Sequence, residues 1–317
     1  MVLLGDFLPA GSAEGVIAAR GFPYLFGGVR HILADSDGVF LNLEAPLSHR
    51  GTSVEGKTYT FRAEPEAAEA MFAEGVRSVS LANNHILDFG PEALEDTLAF
   101  LREAGVSPAG AGMDLAEAGL PAEMTAPPGN LLLLAFSNTF PDSYWAGESR
   151  PGTLFGSPGT VRRAVAAASV RGTVIVSFHW GQELMETPKD YQVDLARLAI
   201  DSGAAMVVGH HPHVLQPIEV YRGRVILYSL GNFSFGSYSR NARHGLMARA
   251  EFTPEGLCSG VEIYPLLVDN TVIAFRPRIL TGDEGRGVFD RLTAGIPKGA
   301  ADVRWAGDRG ILLPTPR

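Results

Sequence analysis

A single cysteine, Cys258, stands in 317 residues, so neither an intrachain disulfide nor a thiolate-built zinc site is available to the chain. Long apolar runs are lacking as well. No stretch approaches the roughly 20 residues that a membrane-crossing helix needs, and no charged n-region followed by an apolar segment opens the sequence. The expectation is a cytoplasmic protein, or an extracytoplasmic one if an anchoring segment precedes Met1. Charged residues are sparse at 19% and their balance is acidic, with a net charge of -9, which disfavours a general nucleic-acid role. Internal repeats and low-complexity linkers are missing, while 46% hydrophobic residues supply ample material for a folded core. Residues 1–280 therefore read as one domain, with residues 281–317 as a C-terminal extension packed on it.

What the sequence does hold is a set of apolar runs that each stop at a polar residue. The densest is Met206-Val-Val-Gly-His-His-Pro-His213, a buried-strand pattern that turns at Gly209 and ends in three imidazoles. Read alone it is a metal-binding turn or a His-rich surface turn. At the carboxyl end of a strand in a layered α/β domain, where such folds keep their sites, His211 and His213 reach one ion if Pro212 turns the chain.

The same pattern recurs along the chain. Met1–Gly5 runs into Asp6, and Gly38–Leu43 delivers Asn42 and Glu44 before Pro46. Val76–Leu81 leads into Asn83, Asn84 and His85, and Asn130–Phe136 leads into a loop over residues 137–153. Thr173–Phe178 ends at His179, and Arg224–Leu230 at Gly231 and Asn232. Residues 48–60 form a polar, Gly-rich loop whose His49, Arg50 and Lys57 either meet an anionic substrate or make a solvated face. Helices are expected from Pro65 to Glu74, Asp88 to Ala104, Pro158 to Ala168, Lys189 to Ile200 and Gly287 to Ala294. The segment Gly105–Pro128 reads as a connection with one weak helical piece. Strands at 245–252 and 260–268 suggest a second sheet, continued by Val272–Arg276. Cys258 reads as a buried or incidental thiol.

Asp6, Glu44, Asn84, His179, His211 and His213 thus all follow strand-like runs, so one sheet edge can gather them. Carboxylate, amide oxygen and imidazole suit Mn, Fe or Zn. Two such ions roughly 3.5–4 Å apart would hold a phosphoryl oxygen and activate a water, with one carboxylate, Glu44, spanning both. His85 and Asn84 are the expected catalytic pair, His85 protonating the leaving oxygen or stabilising phosphoryl charge. Asn42, His49, Arg50 and Asn232 are the expected substrate contacts.

Gly5-Asp6, Asn42-Leu-Glu44, Leu81-Ala-Asn-Asn-His85, His179-Trp-Gly-Gln-Glu183, Gly209-His-His-Pro-His213 and Tyr228-Ser-Leu-Gly-Asn-Phe233 occur in the order in which the chain resembles the CapA/PgsA capsule and poly-gamma-glutamate biosynthesis family. That family lies within the calcineurin-like metallophosphoesterase superfamily. The resemblance implies a four-layer α/β/β/α sandwich with metal at the strand ends. It implies Asp6 as the first metal carboxylate, Glu44 in place of a bridging aspartate, Asn84-His85 as the Asn-His pair, His179 as the isolated metal histidine, and His211 and His213 as the closing pair. His210 stands as the alternative to His211. Leu8 departs from the superfamily, many members of which carry a metal histidine there. The implied function is a metal-dependent phosphoesterase or related hydrolase, or alternatively a noncatalytic component of poly-gamma-glutamate or capsule polymer assembly or export. The expected partners are a phosphorylated small molecule or an acidic polymer, with capsule machinery as a protein partner.

Overall fold

The computed structural model describes residues 1–126, 129–238 and 241–315. Two β-sheets carry the chain. The main path of the larger runs Ala301–Trp305, Gly310–Pro314, Cys258–Leu267, His244–Phe252, Val2–Leu8, Val39–Leu43, Val76–Ser80, Ser107–Ala109. Asn232–Phe235 pairs off this path with Val2–Leu8, and Arg278–Ile279 with Cys258–Leu267. The second sheet runs Leu215–Tyr221, Arg224–Leu230, Ala204–His210, Thr173–His179, Gly129–Ser137, Ala122–Ala126.

The larger sheet is parallel from Val2–Leu8 through Val39–Leu43 and Val76–Ser80 to Ser107–Ala109, and the second sheet is parallel at its centre. Parallel strands buried on both faces read as continuous apolar runs, and for that reason Val2–Leu8, Val39–Leu43, Thr173–His179 and Ala204–His210 stand out in the sequence. The first two belong to the larger sheet and the last two to the second, and their carboxyl ends meet, so the residues expected at one sheet edge come from two. Asp6 pairs with Asn42 on one side and Asn232 on the other, and His210 pairs with His179.

Three apolar cores account for the burial. One gathers Leu3, Phe40, Ile175, Met206, Val208 and Ile263 from both sheets. A second packs Val2, Leu4, Leu41 and Val79 against Met71, Leu94 and Leu98 of the helices Ala67–Ala73 and Pro91–Glu103. The third packs Val174, Val176 and Val207 against Val161, Val165, Ala196 and Ala199 of the helices Pro158–Ser169 and Asp190–Asp201. Pro158 begins its helix behind Ser157, whose Oγ accepts from Thr160 N at 3.1 Å, a serine cap followed by proline in the first turn. Cys258 is buried in its strand, and burial pushes its thiol up to about 12, which makes it a poor nucleophile.

Several local expectations change. Val272–Arg276 does not extend the sheet. Asp269 caps a short helix, Asn270–Ile273, and Ala274 and Phe275 then take left-handed backbone. Leu215–Tyr221, unassigned in the sequence, is an antiparallel edge strand on Arg224–Leu230. The connection Gly105–Pro128 contains the edge strand Ala122–Ala126, paired antiparallel with Gly129–Ser137; its last two residues, Pro127 and Pro128, lie outside the described residues. Beyond residue 281, the helix Gly282–Thr293 packs its Val288, Phe289 and Leu292 into the inter-sheet core.

Candidate metal centre

Asp6 lies inside its strand rather than beyond it, because the strand continues to Leu8. Gly5 makes this possible. A Cβ there would stand 2.0 Å from the carbonyl oxygen of Gly231, the group that accepts from Asp6 N at 3.0 Å.

Beneath the centre Asn42, fully buried, donates through Nδ2 to Asp6 Oδ1 at 2.8 Å and Glu44 Oε2 at 3.1 Å. One amide thus fixes both carboxylates. Asn83 in turn donates to Asn42 Oδ1 at 3.1 Å. Asn42 was expected at the substrate; having no exposed surface, it serves the carboxylates instead. Above them stand three imidazoles. His179 Nε2 is 2.8 Å from Asn84 Oδ1 and 3.8 Å from Glu44 Oε1. His213 Nδ1 is 2.9 Å from Asn232 Oδ1 and 3.2 Å from Asp6 Oδ2, and its Nε2 is 3.8 Å from Glu44 Oε1. The His211 ring centroid is 4.7 Å from that of His179.

Both His211 and His213 have positive φ, +93° and +57°. Non-glycine residues resist this backbone region, and such strain gathers at functional sites where surrounding contacts enforce it. Here the His211 backbone N–H donates to Asp6 Oδ2 at 3.2 Å, tying the strained turn to the first carboxylate.

Ligand atoms of Glu44, His179 and His211 lie within 4.8 Å of one another, and so do those of Asp6, Glu44 and His213. Glu44 belongs to both sets. Its Oε1 and the Nδ1 of His211 are buried without a hydrogen-bond partner. Orphaned buried polar atoms are rare and call for an ion, a water or strain. A carboxylate oxygen and an imidazole nitrogen orphaned in one cluster are the donor types that a divalent cation takes, so the residues present fit a metal.

The electrostatics agree. Two anionic carboxylates about 4 Å apart repel by about 4 kcal/mol at an effective dielectric of 20, several times the net worth of a hydrogen bond. A proton or a cation must offset that. Burial and the neighbouring Asp6 hold the Glu44 carboxyl well above the usual range. Burial also acts to raise Asp6, but His213, His210 and Asn42 override it and hold Asp6 low. For His213, burial is outweighed by Glu44 and Asp6, and its pKa rises to about 10. Burial and the neighbouring histidines press His179 far down, and burial with His213 brings His211 to about 3.

In the ion-free cluster the proton is therefore favoured on His213 and on the Glu44 carboxyl, and disfavoured on His179 and His211. A metal ligand must be a neutral imidazole. Glu44 and His213, the two groups with raised pKa, give up their protons as the ion enters, so divalent-ion affinity is expected to climb by about tenfold or more per pH unit between pH 7 and 9. Calorimetric titration with Mn(II) in buffers of different ionisation enthalpy should show at least one proton released per cluster. Proton-neutral binding would remove His213 from the ligand set.

Elsewhere around the centre the expected residues separate. His85 Nδ1 is 2.6 Å from Asp88 Oδ2, leaving Nε2 without a protein partner among the described residues. His85 lines a cleft of about 270 Å³ with His213, Asn232, Tyr59, Phe61, Phe235 and Glu183. Asp88, fully buried, also accepts from Lys57 Nζ and from Phe61 N at 2.8 Å, and lies 3.4 Å from Tyr144 OH. The 48–60 and 137–153 loops thus meet on this one carboxylate. The sequence reading passed over Asp88, although the His-x-x-Asp spacing was visible.

Lys57 faces inward, whereas His49 and Arg50 do not reach the centre. His49 pairs with Glu64 at 3.5 Å with both side chains exposed, and Arg50 is held by Asp96 and Glu95. His210 turns away too. Its Nδ1 is 3.3 Å from Ser177 Oγ and its Nε2 3.2 Å from Leu4 O, and burial lowers its pKa. It braces the two sheets, and His211 faces the cluster. Glu183 is a further group that the sequence reading left without a role; its carboxylate falls within 4.8 Å of ligand atoms of His211 and His213.

The family model described as "Bacterial capsule synthesis protein PGA_cap" matches residues 1–237. The chain belongs to this family. Among its CapA/PgsA relatives, the capsule biosynthesis protein CapA of Bacillus anthracis is 28% identical over 310 residues, covering 95% of this chain and 74% of that protein. The PGA biosynthesis protein CapA of Bacillus subtilis strain 168 is 33% identical over 235 residues, covering 73% of this chain and 62% of that one. Among solved structures, a 5'-nucleotidase precursor from Thermus thermophilus superposes with a TM-score of 0.50 at 16% identity. The match covers 85% of this chain and 54% of that one, and the likeness is to the mixed α/β nucleotidase-like fold. No helix among the described residues is long and apolar enough to cross a membrane.

Proposed function

We propose that this CapA/PgsA-family chain works in the biosynthesis or export of a capsule polymer of the poly-gamma-glutamate type. In this reading it binds the acidic polymer, or a partner that carries it, at a divalent-metal centre. One or two ions, Mn, Fe or Zn, would be held by Asp6, Glu44, Asn84, His179, His211 and His213. The observation that carries the reading is the pair of buried orphan donors, Glu44 Oε1 and His211 Nδ1, in a chain matched over residues 1–237 by a capsule-synthesis family model. We also take the three cores as those of a four-layer α/β/β/α sandwich, with residues 1–280 as its domain and residues 281–317 packed on it.

The chain's own groups have separate duties. Asn42 spaces the carboxylates, Asn232 and Asp6 orient His213, and Asp88 holds His85 by Nδ1 so that Nε2 can exchange a proton with a bound oxygen. A bound divalent ion supplies Lewis acidity, polarising an anionic oxygen and lowering the pKa of water. The His85–Asp88 pair beside the cleft favours a second reading, a metal-dependent phosphoesterase or related hydrolase.

The test pairs co-sedimentation with poly-gamma-glutamate and turnover of phosphomonoesters and phosphodiesters, before and after Mn, Fe or Zn reconstitution. Polymer association that appears with the ion and is lost on chelation is expected. Turnover without polymer association would favour the hydrolase, and neither would contradict both readings.

A further inference from the structure

Glu183 follows His179 by four residues in a turn whose backbone is unusual at two points. Gly181 has φ +87° and Leu184, not a glycine, has φ +60°. The turn is pinned from both sides. Gly181 N donates to Tyr191 OH at 2.6 Å, and Leu184 N donates to Pro212 O at 2.8 Å. The second bond fastens it to the strained His211-Pro212-His213 segment, so three non-glycine residues with positive φ converge on one place. What this geometry presents is the Glu183 carboxylate, exposed, within 4.8 Å of ligand atoms of His211 and His213 and with no ion pair among the described residues.

An anion held there is unfavourable by itself, since Asp6 and Glu44 already lie beneath. The Glu183 charge is among the influences that raise both Glu44 and His213. A cation between the upper and lower carboxylates reverses the sign of the interaction. His211, more than nine-tenths buried and with its Nδ1 without a partner, belongs both to this triad and to the one with Glu44 and His179, so a cation that it takes lies within reach of Glu183. Around Asp6, Glu44 and His213, the neighbouring strand positions are occupied by Leu8 and Phe235, paired with each other, and neither side chain offers a donor.

We propose that Glu183 is a metal ligand that closes the centre on its solvent side and supplies an oxygen donor that Leu8 and Phe235 do not. The inference rests on the metal-centre reading above. With Asp6 and Glu44 it makes three carboxylates, a donor set that favours Mn(II) over softer ions. Glu183 and His213 are the ligands that line the cleft, so an incoming anionic oxygen meets the centre at Glu183 and His213.

The test is direct Mn(II) titration of the full chain, with free ion followed by electron paramagnetic resonance and water access to bound ion followed by proton relaxation enhancement. Wild type, Glu183→Ala, Glu183→Gln and Asp6→Ala are compared. An exposed side chain can be replaced without disturbing the cores, and thermal melts of the ion-free variants check this. The proposal expects Glu183→Ala and Glu183→Gln to weaken Mn(II) binding by roughly 10–100-fold, the range seen when groups supporting a metal are removed, with higher relaxivity as water replaces the carboxylate. Wild-type affinity and relaxivity in both Glu183 variants, with binding abolished in Asp6→Ala, would overturn the Glu183 assignment and leave the metal centre standing. No Mn(II) binding by the wild type would overturn both.

Discussion

Glu44→Gln is expected to reduce divalent-ion affinity at least roughly 100-fold, beyond the range seen for supporting groups alone. Glu44 is the residue shared by the two buried triads, so its loss removes a donor from each. The amide keeps the shape and can still accept from Asn42 Nδ2 at the position of Oε2, which limits the damage to the fold. It removes the charge, and it places either a neutral oxygen or an NH₂ group where Oε1 has no partner. The ion-free variant should be at least as stable as the ion-free wild type, because the carboxyl next to Asp6 is already pushed toward its neutral form. The measurement is Mn(II) affinity beside a denaturant midpoint without metal. Unchanged affinity would exclude Glu44 as the shared ligand.

Gly209→Ala is expected to destabilise the protein by about 3 kcal/mol or more, the upper range for overpacking with a lost hydrogen bond. A Cβ at Gly209 would stand 1.9 Å from Tyr228 O and 2.6 Å from Trp180 Nε1, the two ends of a 2.9 Å hydrogen bond. Neither end can yield easily. Tyr228 O belongs to a central strand, and the fully buried Trp180 ring stacks on Phe178 with centroids 4.4 Å apart. The displaced backbone leads directly into His211 and His213, so ion affinity should fall along with stability. A wild-type unfolding midpoint in this variant would contradict the packing described for the end of that strand.

How far the site could be read from sequence follows from where each residue sits. Asp6, Glu44 and His179 were legible because strands buried on both faces have no alternation to blur them, so a polar residue at the end of each apolar run stands out. Asn42 was legible as a site residue but not in its direction, since period-2 reasoning does not distinguish a donor beneath two carboxylates from one above them. His210 and His211 could not be separated by pattern; the choice depends on the left-handed turn that begins at His211 and leaves His210 in the sheet against Ser177 and Leu4. His49 and Arg50 misled because charge in a polar loop carries no sign of which way it faces, and their partners, Glu64 and Asp96, come from other segments.

The fold shows the same division. Leu215–Tyr221 was hidden by Pro217 and by its place at a sheet edge, where one strand neighbour suffices and proline is tolerated. The run Val272–Arg276 looked like a strand because Val, Ile and Phe favour one, but the Asp269 cap and two left-handed residues decide otherwise. Glu183 left no periodic signal at all, only the turn residue Gly181.

The most direct measurement is an anomalous-scattering map from crystals of the protein soaked in Mn(II). The account predicts density bounded by Glu44, His179 and His211 and by Asp6, Glu44 and His213. Crystals with no anomalous density, or with density only at the exposed His49, Glu64 and Glu66 group, would contradict it.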